Sequence, residues 1–403
     1  MGEESGEANE GEDRYLKKKG EQNMKKMFIC VLTVILIFGW VMLGGIVYAQ
    51  PKGDIKIGAL IPYTGMGNMV AKDMERSFEL GLDELGWKIA GRKVILIKED
   101  ETDDPAIAVA KARKLVEEDK VVMILGPLLA HTSAAVAGYL ARLKIVNFTN
   151  AMTEKTRSDD SFYVTGSGAS GAYPAGLYAY GEMGARTAAL MDMDYIMGAF
   201  MEKGFTIGFE ERGGKVVSKQ RIPMGTADMA PFIEAIPPNV NILGLFLIAP
   251  SDIAFVRQYQ QYGLKIPVIF TVCQPQSEEI LAQMGDRAIG MFGNNPSSIY
   301  VDNPMMKQWG AKWKAKYGKI TGGAMYPTGL VMYAKAVEAS KGDTSYDKLV
   351  PILKNLQIEV PTGTFKFTDG RMAVQDYYIL QVVKEGDRYY WKPIKKYLQI
   401  PPM

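Results

Sequence analysis

The sequence predicts an α/β protein in which two parallel sheets are each covered by helices. Between Ile55 and Thr153, apolar strand-like runs alternate with helical segments in the order strand, helix, strand, helix, strand, helix, strand. The alternation continues beyond Thr153, and the chain closes on alternating runs typical of an antiparallel hairpin. Parallel strands require crossover connections, so this order favours two doubly wound lobes with ligand sites at the carboxyl ends of the strands.

The individual elements follow from apolar periodicity and from glycine and proline positions. Ile55–Gly65 is a strand that runs into a glycine-marked turn, Gly91–Pro127 holds two strands around a helical segment, and Lys144–Thr153 closes the first series. The later predicted strands are Phe162–Val164, Thr187–Met191, Lys215–Arg221, Asn241–Leu247, Pro267–Val272, Gly290–Gly293, Thr362–Gly370 and Val374–Ile394. The later predicted helices are Ala172–Met183, Tyr195–Glu210, Met229–Ala235, Ser251–Tyr262, Asn303–Tyr317, Ala324–Ser340 and Tyr346–Leu356.

Composition excludes several classes of site. The chain has 403 residues, enough for two domains, and a net charge of +2 without a basic stripe, so we expect no nucleic-acid partner. It has two cysteines, Cys30 and Cys273, and one histidine, His131, which excludes disulfide frameworks and Cys/His zinc sites. A Ser-His-Asp or Cys-His enzyme would have to use His131. We therefore expect neither a metal nor a cofactor.

The N-terminal segment, residues 1–49, is predicted to direct export. Two lysines precede the apolar run Phe28–Ala49, whose end carries small residues three and one before a cut after Ala49. An uncleaved membrane anchor is the alternative, because about 20 apolar residues can span a bilayer. Export does not need the acidic and then basic preface Met1–Asn23, so we interpret Met24 as the start of translation. N-terminal sequencing that finds earlier residues would contradict this interpretation.

Several stretches of the remaining chain occur, in the same order, in a known family. They are Ile55–Gly65, Glu99–Val121, Gly126–Ala135, Asn147–Thr153, Ala249–Ile269 and Thr362–Arg371. With these motifs the chain resembles the periplasmic solute-binding proteins of ABC transporters, in the group that includes the leucine/isoleucine/valine-binding protein. Each motif is weak alone, but together they extend the resemblance over essentially all of Lys52 to Met403.

The resemblance implies a type I periplasmic binding protein, in which three crossover strands join two doubly wound, Rossmann-like lobes. The implied crossovers lie near Thr165–Ala169, Gly293–Pro296 and Phe367–Arg371, with lobe 1 formed by residues 52–168 plus 296–367 and lobe 2 by residues 169–295 plus 371–403. The ligand would lie between the lobes, which close by hinge motion. We expect a periplasmic or extracytoplasmic monomer that delivers its ligand to ABC permease subunits; a sensor that presents the solute to a receptor remains the alternative.

The resemblance also implies which residues hold a ligand carboxylate. The implied positions, in the loops after the third and fourth strands, are Ala130, Ala151, Met152 and Thr153. Loop amides and a helix N-terminus offer N–H donors to an anion. Amino-acid binders usually carry a hydroxyl at the position of Ala130, and we expect the neutral ring of His131 to replace it.

The second lobe departs from the pattern of the amino-acid binders. Those proteins place a carboxylate after the strand that corresponds to Pro267–Val272, whereas this chain has no acid there before Glu278. Burying an ammonium without a partner costs several kcal/mol. We therefore predict a small carboxylate with an apolar or aromatic body, and a branched-chain or other amino acid is the alternative. Further candidate ligand contacts, for which ordinary packing is the competing explanation, are Met69, Val70, Tyr195, Gln274 and Tyr326.

One motif favours a different class of protein. Gly166–Gly171 (GSGASG) matches the dinucleotide-binding pattern GxGxxG, and Asp192 ends the next strand about 20 residues further on. An exported NAD-dependent enzyme is therefore an alternative. However, the preceding strand Phe162–Val164 is short, the glycines fall where the resemblance places a crossover, and an exported protein meets little free NAD. We expect no enzymatic activity.

Overall fold

The computed structural model describes residues 53–65, 67–149, 161–164, 168–272, 278–296, 298–318 and 326–403. The chain divides into two compact units, Met1–Lys52 and Gly53–Met403, and every described residue belongs to the second. The predicted export segment, residues 1–49, therefore lies outside the described residues. Within the described ranges, no helix is both long enough and apolar enough to cross a membrane.

The first sheet confirms the predicted alternation of strands and helices. Its strands in the described chain are β1 (Ile55–Ile61), β2 (Lys88–Ile89), β3 (Arg92–Asp100), β4 (Met123–Leu125), β5 (Val146–Thr149) and β6 (Ser161–Tyr163). Their order is β2-β3-β1-β4-β5-β6, and neighbours pair in parallel except β2 with β3. β1 is buried along nearly its whole length, as expected of a parallel strand covered on both faces.

The second sheet is mixed. Its described strands are β7 (Thr187–Met193), β8 (Lys215–Ile222), β9 (Ile242–Phe246), β10 (Val268–Phe270), β11 (Phe292–Asn295), β12 (Gln357–Val360), β13 (Gly363–Phe367), β14 (Ala373–Glu385) and β15 (Arg388–Ile400). The strands run in the order β12-β13-β14-β11-β10-β9-β7-β8, with β15 on β14. The segment from β8 to β11 is parallel. The predicted closing hairpin is β14–β15, which is antiparallel.

Two of the described helices begin at residues whose side chains cap them. The described α-helices are α1 (Asn68–Glu84), α2 (Pro105–Arg113), α3 (Ala130–Arg142), α4 (Gly168–Gly181), α5 (Ile196–Glu210), α6 (Ala230–Glu234), α7 (Ser251–Gln261), α8 (Glu278–Met284), α9 (Pro304–Tyr317), α10 (Thr328–Ala339) and α11 (Tyr346–Asn355). Asp104 caps α2 by accepting a 2.7 Å hydrogen bond from Ala106 N. Asn303 caps α9 in the same way, and proline follows each cap at the first helical position, where it needs no hydrogen-bond partner.

The strand order places a topological switch point in each sheet. β1 lies between β3 and β4, and β7 lies between β8 and β9. The connections that leave the neighbouring strands β1 and β4 therefore diverge to opposite sides, as do those that leave β7 and β9, and a crevice opens at the carboxyl ends of each pair. Such crevices are where open α/β sheets bind ligands.

Helices α4 and α5 cover the second sheet with their backbones in contact. A Cβ atom at Gly204 would lie 1.9 Å from the carbonyl oxygen of Ala169, and one at Gly208 would lie 2.3 Å from that of Tyr173. Only glycine permits this approach. The close packing fixes the position of α5 and of the residues at its N-terminus, which belong to the functional site.

The segments implied as crossovers differ in part from the expectation. Gly168 and Ala169 are the first residues of α4, and residues 293–295 lie in β11. After β13, the carbonyl oxygen of Arg371 accepts a 2.9 Å hydrogen bond from Tyr163 N at the end of β6, which ties the two sheets together there. The division of the chain into the two lobes by residue number remains a prediction.

Candidate functional site

The loop after β4 lies at the switch point of the first sheet. Gly126 begins it with φ = 102°, and a Cβ atom there would lie 2.1 Å from Leu60 O, so only glycine allows the chain to pass. Asn147 Nδ2 donates to Gly126 O at 2.6 Å, and Thr149 Oγ1 donates to Pro127 O at 2.8 Å. These bonds hold the carbonyl groups of the loop against the sheet.

Glu101, immediately after β3, holds the amide groups of the same loop. Its carboxylate oxygens accept hydrogen bonds from Leu128 N at 2.7 Å and Leu129 N at 3.3 Å, and the hydroxyl of Thr132 lies against Oε2. The side chain is fully buried. Burial raises the pKa of Glu101 from its ordinary value of 4.5 to about 7, although the three hydrogen bonds oppose the shift.

The first amide group of α3 reaches across to the second sheet. Leu129 is the extended residue before the helix, and Ala130 is its first residue. Ala130 N donates a 3.1 Å hydrogen bond to the hydroxyl oxygen of Tyr195. Because Tyr195 lies two residues beyond the end of β7, this bond brings the switch points of the two sheets face to face.

His131 completes a chain of hydrogen bonds at this point. Its Nε2 lies 3.0 Å from the carbonyl oxygen of Asp103. A carbonyl oxygen can only accept, so Nε2 carries a proton, and Nδ1 is an acceptor when the ring is neutral. Nδ1 lies 3.4 Å from the Tyr195 hydroxyl. The hydroxyl thus accepts from Ala130 N and directs its own proton towards His131.

The backbone conformation of Tyr195 positions its side chain for this contact. The sequence predicted it inside a helix, but its backbone is extended (φ −145°, ψ 153°) and α5 begins one residue later. Burial raises the pKa of its hydroxyl to about 12, so the group is neutral at physiological pH. The extended backbone lets the side chain project from the end of the sheet towards Ala130.

Several apolar side chains pack against the same core cluster as Tyr195. Met197, Ile248 and Val272 follow β7, β9 and β10, and all three are half-buried against the core under α4 and α5. The carboxyl ends of parallel strands share one edge of a sheet, so these residues and Tyr195 lie at the same edge of the second sheet.

Two buried acids of the second lobe were not singled out as ligand contacts by the sequence reasoning. Asp192, near the end of β7, is 1% exposed, and within the described part of the chain neither of its carboxylate oxygens has a hydrogen-bond partner. Burial raises its pKa well above the ordinary value. Asp252, at the start of α7, is fully buried, and burial raises its pKa to about 7.

The structure brings together only part of the predicted ligand set. Ala130, His131 and Tyr195 are in mutual contact. Val70 lies in the first turn of α1 and is 38% exposed, and Tyr326 packs edge-to-face on Trp309 at 5.2 Å. The predicted contacts that lie outside the described residues, or whose side chain does, are Met69, Ala151, Met152, Thr153 and Gln274. These assignments remain predictions.

Sequence reasoning missed Glu101 because its role depends on a loop that follows the next strand. A signal was available, since an acid directly after a parallel strand lies at the ligand edge of a sheet. Glu278, the first acid after β10, is engaged elsewhere: it accepts a hydrogen bond from the hydroxyl of Tyr300 and pairs with Arg388 at 3.5 Å.

A family model described as "Periplasmic binding protein" matches residues 54–387, most of the chain. The chain belongs to this family. The resemblance inferred from the motifs is thereby confirmed. Membership implies an extracytoplasmic location and solute binding, because the family consists of periplasmic solute-binding proteins.

Relatives of this periplasmic binding protein cover nearly its whole length. It is 24% identical over 390 residues to "Leu/Ile/Val-binding protein homolog 6" of Brucella suis biovar 1 (strain 1330), covering 93% of this chain and 97% of the relative. An ABC transporter substrate-binding protein from Sphaerobacter thermophilus matches with a TM-score of 0.81 at 27% identity, over 87% of this chain and 99% of that one. These matches confirm the two-lobe type I fold and the broad role of an ABC transporter substrate-binding protein.

A solved relative carries an aromatic acid. The R. palustris solute-binding protein in complex with 4-hydroxybenzoate matches this periplasmic binding protein with a TM-score of 0.79 at 25% identity, over 86% of this chain and 98% of that one. A leucine-binding protein from Thermotoga maritima MSB8 matches at 19% identity with a TM-score of 0.74, which shows the shared fold alone.

The burial of Asp192 argues against the dinucleotide-binding alternative. An acid that binds a ribose must face the crevice, whereas Asp192 is 1% exposed in β7. Gly168 and Gly171 lie within α4, packed against Met197, Phe200 and Met201, and the rest of the motif lies outside the described residues. The family and the burial of Asp192 together favour solute binding over NAD chemistry.

Proposed function

We propose that this protein is the ligand-receiving component of an ABC importer and that its ligand is a small carboxylate with an apolar or aromatic body. The observation that carries this proposal is the amide of Ala130, which opens α3 at the switch point of the first sheet and faces the second lobe. An N–H group at the start of a 13-residue helix favours an anion.

The remaining groups of the site fit one ligand carboxylate. Glu101 engages the amides of Leu128 and Leu129 and thereby fixes the loop, so the amide of Ala130 is the donor presented to the crevice. We assign Ala151, Met152 and Thr153 to the second anion-binding loop by family resemblance. The ring of His131 stands beside the donor, 3.4 Å from the Tyr195 hydroxyl.

The charges of the second lobe argue against a zwitterionic ligand. Glu278 is engaged by Tyr300 and Arg388. Burial keeps the pKa of Asp192 high, so this acid is a poor counter-charge for an ammonium group. A carboxylate without an ammonium group avoids both problems. We expect its body to pack against apolar side chains at this edge of the second sheet, where Met197 and Val272 lie. The R. palustris relative solved with 4-hydroxybenzoate supports an aromatic acid.

Isothermal titration calorimetry of the purified protein tests this proposal. The probes are 4-hydroxybenzoate, benzoate, cyclohexanecarboxylate and leucine. We expect at least one of the acids to bind on the order of 100-fold more tightly than leucine, because burial of an unpaired ammonium costs several kcal/mol. Tight leucine binding with no acid binding would instead establish the amino-acid alternative, which the relatives named as Leu/Ile/Val-binding protein homologues favour.

The partners follow from this role. We propose that the protein is exported by residues 1–49, acts as a monomer, and delivers its ligand in the closed form to permease subunits in the membrane. Genes for permease and ATPase subunits beside its own gene would support transport. A receptor gene in that place would support a sensor. NADH retained on the pure protein and detected by fluorescence would contradict a binding role without enzymatic activity.

A further inference from the structure

The hydroxyl of Tyr195 occupies the position at which an anion would meet the amide of Ala130. The oxygen lies 3.1 Å from Ala130 N, which is the ordinary separation of an N–H···O hydrogen bond. The backbone around it is held by bonds from Tyr195 N to Met193 O at 2.7 Å and from Gly198 N to Tyr195 O at 2.9 Å. The hydroxyl is therefore delivered to Ala130 by a rigid turn.

This hydroxyl and a ligand carboxylate exclude one another at Ala130. One amide proton makes one good hydrogen bond, and two oxygen atoms cannot both lie about 3 Å from it along the same direction. The hydroxyl is neutral, because burial raises its pKa to about 12. Hydrogen bonds to an ionised acceptor are roughly twice as strong as those between neutral groups. A carboxylate therefore displaces the hydroxyl.

We propose that Tyr195 is an internal competitor of the ligand: its hydroxyl closes the two lobes on each other at Ala130, and a carboxylate must displace it in order to bind. The contact between the Tyr195 hydroxyl and Ala130 is argued from the geometry alone. The competition between this hydroxyl and a ligand carboxylate rests on the proposed function. His131 supports the contact, because its Nδ1 lies 3.4 Å from the Tyr195 hydroxyl and can accept a hydrogen bond from it.

The competition lowers the apparent affinity for every ligand by the same factor. A ligand binds the open form, and the fraction of protein held closed by Tyr195 is not available to it. Removal of the hydroxyl opens the ligand-free protein, so the fraction that Tyr195 held closed becomes available to the ligand. A direct contact between the Tyr195 hydroxyl and the ligand would have the opposite effect, because its removal would weaken binding.

The experiment compares Tyr195→Phe with the wild type and with Tyr262→Phe. Tyr262 is a matched control, because its hydroxyl donates to Glu234 at 3.0 Å on the exposed surface of the same lobe. Small-angle X-ray scattering of the ligand-free proteins measures the radius of gyration, and calorimetry measures the affinity for 4-hydroxybenzoate and benzoate. Ala130→Pro is a second variant that deletes the donor instead of the acceptor.

We expect a larger radius of gyration for Tyr195→Phe and Ala130→Pro than for the wild type and Tyr262→Phe. We expect Tyr195→Phe to bind the acid about two- to tenfold more tightly, the change that loss of one competing neutral hydrogen bond gives. An unchanged radius of gyration in both variants would overturn the closing contact. Weaker binding by Tyr195→Phe would overturn the competition. If none of the proteins binds either acid, the proposed function fails, and scattering still decides the closing contact.

Discussion

The carboxylate of Glu101 accepts a 2.7 Å hydrogen bond from the backbone amide of Leu128, 27 residues further along the chain. Thr132 adds a second constraint, since its hydroxyl lies against Glu101 Oε2 and 2.9 Å from Leu129 O. A hydroxyl has one proton, so the Thr132 hydroxyl donates either to Glu101 Oε2 or to Leu129 O. Burial outweighs the hydrogen bonds that Glu101 accepts and raises its pKa to about 7.

Glu101→Gln should flatten the dependence of stability on pH. The folded-state pKa of Glu101 is about 7 and its ordinary value is 4.5. The folded state therefore holds the extra proton between these values, and the free energy of unfolding falls as pH rises from about 4.5 to about 7. The shift corresponds to roughly 3 kcal/mol over that range. Glutamine imitates the protonated side chain, so the variant should lose about that much less in urea denaturation between pH 5 and pH 8.

Glu99→Gln is the control for this prediction. Glu99 lies two residues away and pairs with Lys111 at 2.8 Å and with Lys114, and these hydrogen bonds and charges outweigh burial and lower its pKa. Its contribution to stability is present at neutral pH and is lost as pH falls, which is the opposite sign. An unchanged slope in Glu101→Gln would mean that Glu101 is ionised in the folded protein throughout the range.

Ala130→Pro should abolish carboxylate binding while leaving the folded lobe intact. Proline is well tolerated at the first position of a helix, and Leu129 before it is already extended, with ψ = 141°. The substitution removes only the Ala130 N–H group and places a ring carbon in the crevice. We expect calorimetry to show at least a tenfold loss of affinity, the effect of about 1.4 kcal/mol, with less than about 1 kcal/mol change in unfolding free energy.

Ala130→Gly separates the role of the amide from that of the side chain. Glycine keeps the N–H group at this position, so this variant should bind within about threefold of the wild type. If Ala130→Pro bound the acids as well as Ala130→Gly did, the amide of Ala130 would not be the anion donor.

Asp192→Asn should stabilise the protein above neutral pH. Burial raises the pKa of Asp192, because its charged form loses hydration and, within the described chain, gains no hydrogen bond. The nearby cations Arg221 and Lys219 are paired with Glu202. Asparagine keeps the volume without the charge, so we expect about 1–2 kcal/mol more unfolding free energy at pH 8. A less stable variant at pH 8 would mean that Asp192 is ionised and held by Arg221.

Gly204→Ala should be strongly destabilising. Its Cβ would lie 1.9 Å from the carbonyl oxygen of Ala169, where backbone and not a flexible side chain must move. We expect a loss of about 3 kcal/mol in thermal or urea unfolding, at the upper end of overpacking effects. Gly138→Ala, in the exposed middle of α3 with nothing within 4 Å, should instead gain roughly 0.5–1 kcal/mol. Similar effects of the two substitutions would show that α4 and α5 separate readily.

The sequence predicted those elements whose signal is local. The alternation from Ile55 to Thr149 is visible because a parallel strand buried on both faces is a continuous apolar run, and helix starts such as Asp104-Pro105 are marked by capping residues. The short antiparallel strands β2 and β12 were not predicted, because two to four residues are too few to show an alternating apolar pattern. The extended conformation of Tyr195 was not predicted, because α5 begins directly after this residue and the helical periodicity of α5 includes it.

The residues of the candidate site also fall into those that the sequence identified and those that only the structure showed. Ala130 and His131 were identified by resemblance, because the loop that contains them is a continuous motif. Glu101 and Asp192 were not assigned to the site, because burial and hydrogen-bond partners belong to the packed molecule and not to a motif.

The sequence by itself determined the fold class, the family and the expectation of an anion at Ala130, because periodicity and contiguous motifs are properties of neighbouring residues. Only the tertiary structure decided what Ala130 contacts. Tyr195 lies 65 residues from Ala130 in sequence and on the other sheet. Their hydrogen bond exists because two switch points, each set by its own strand order, face one another across a crevice, and no local pattern encodes that distance.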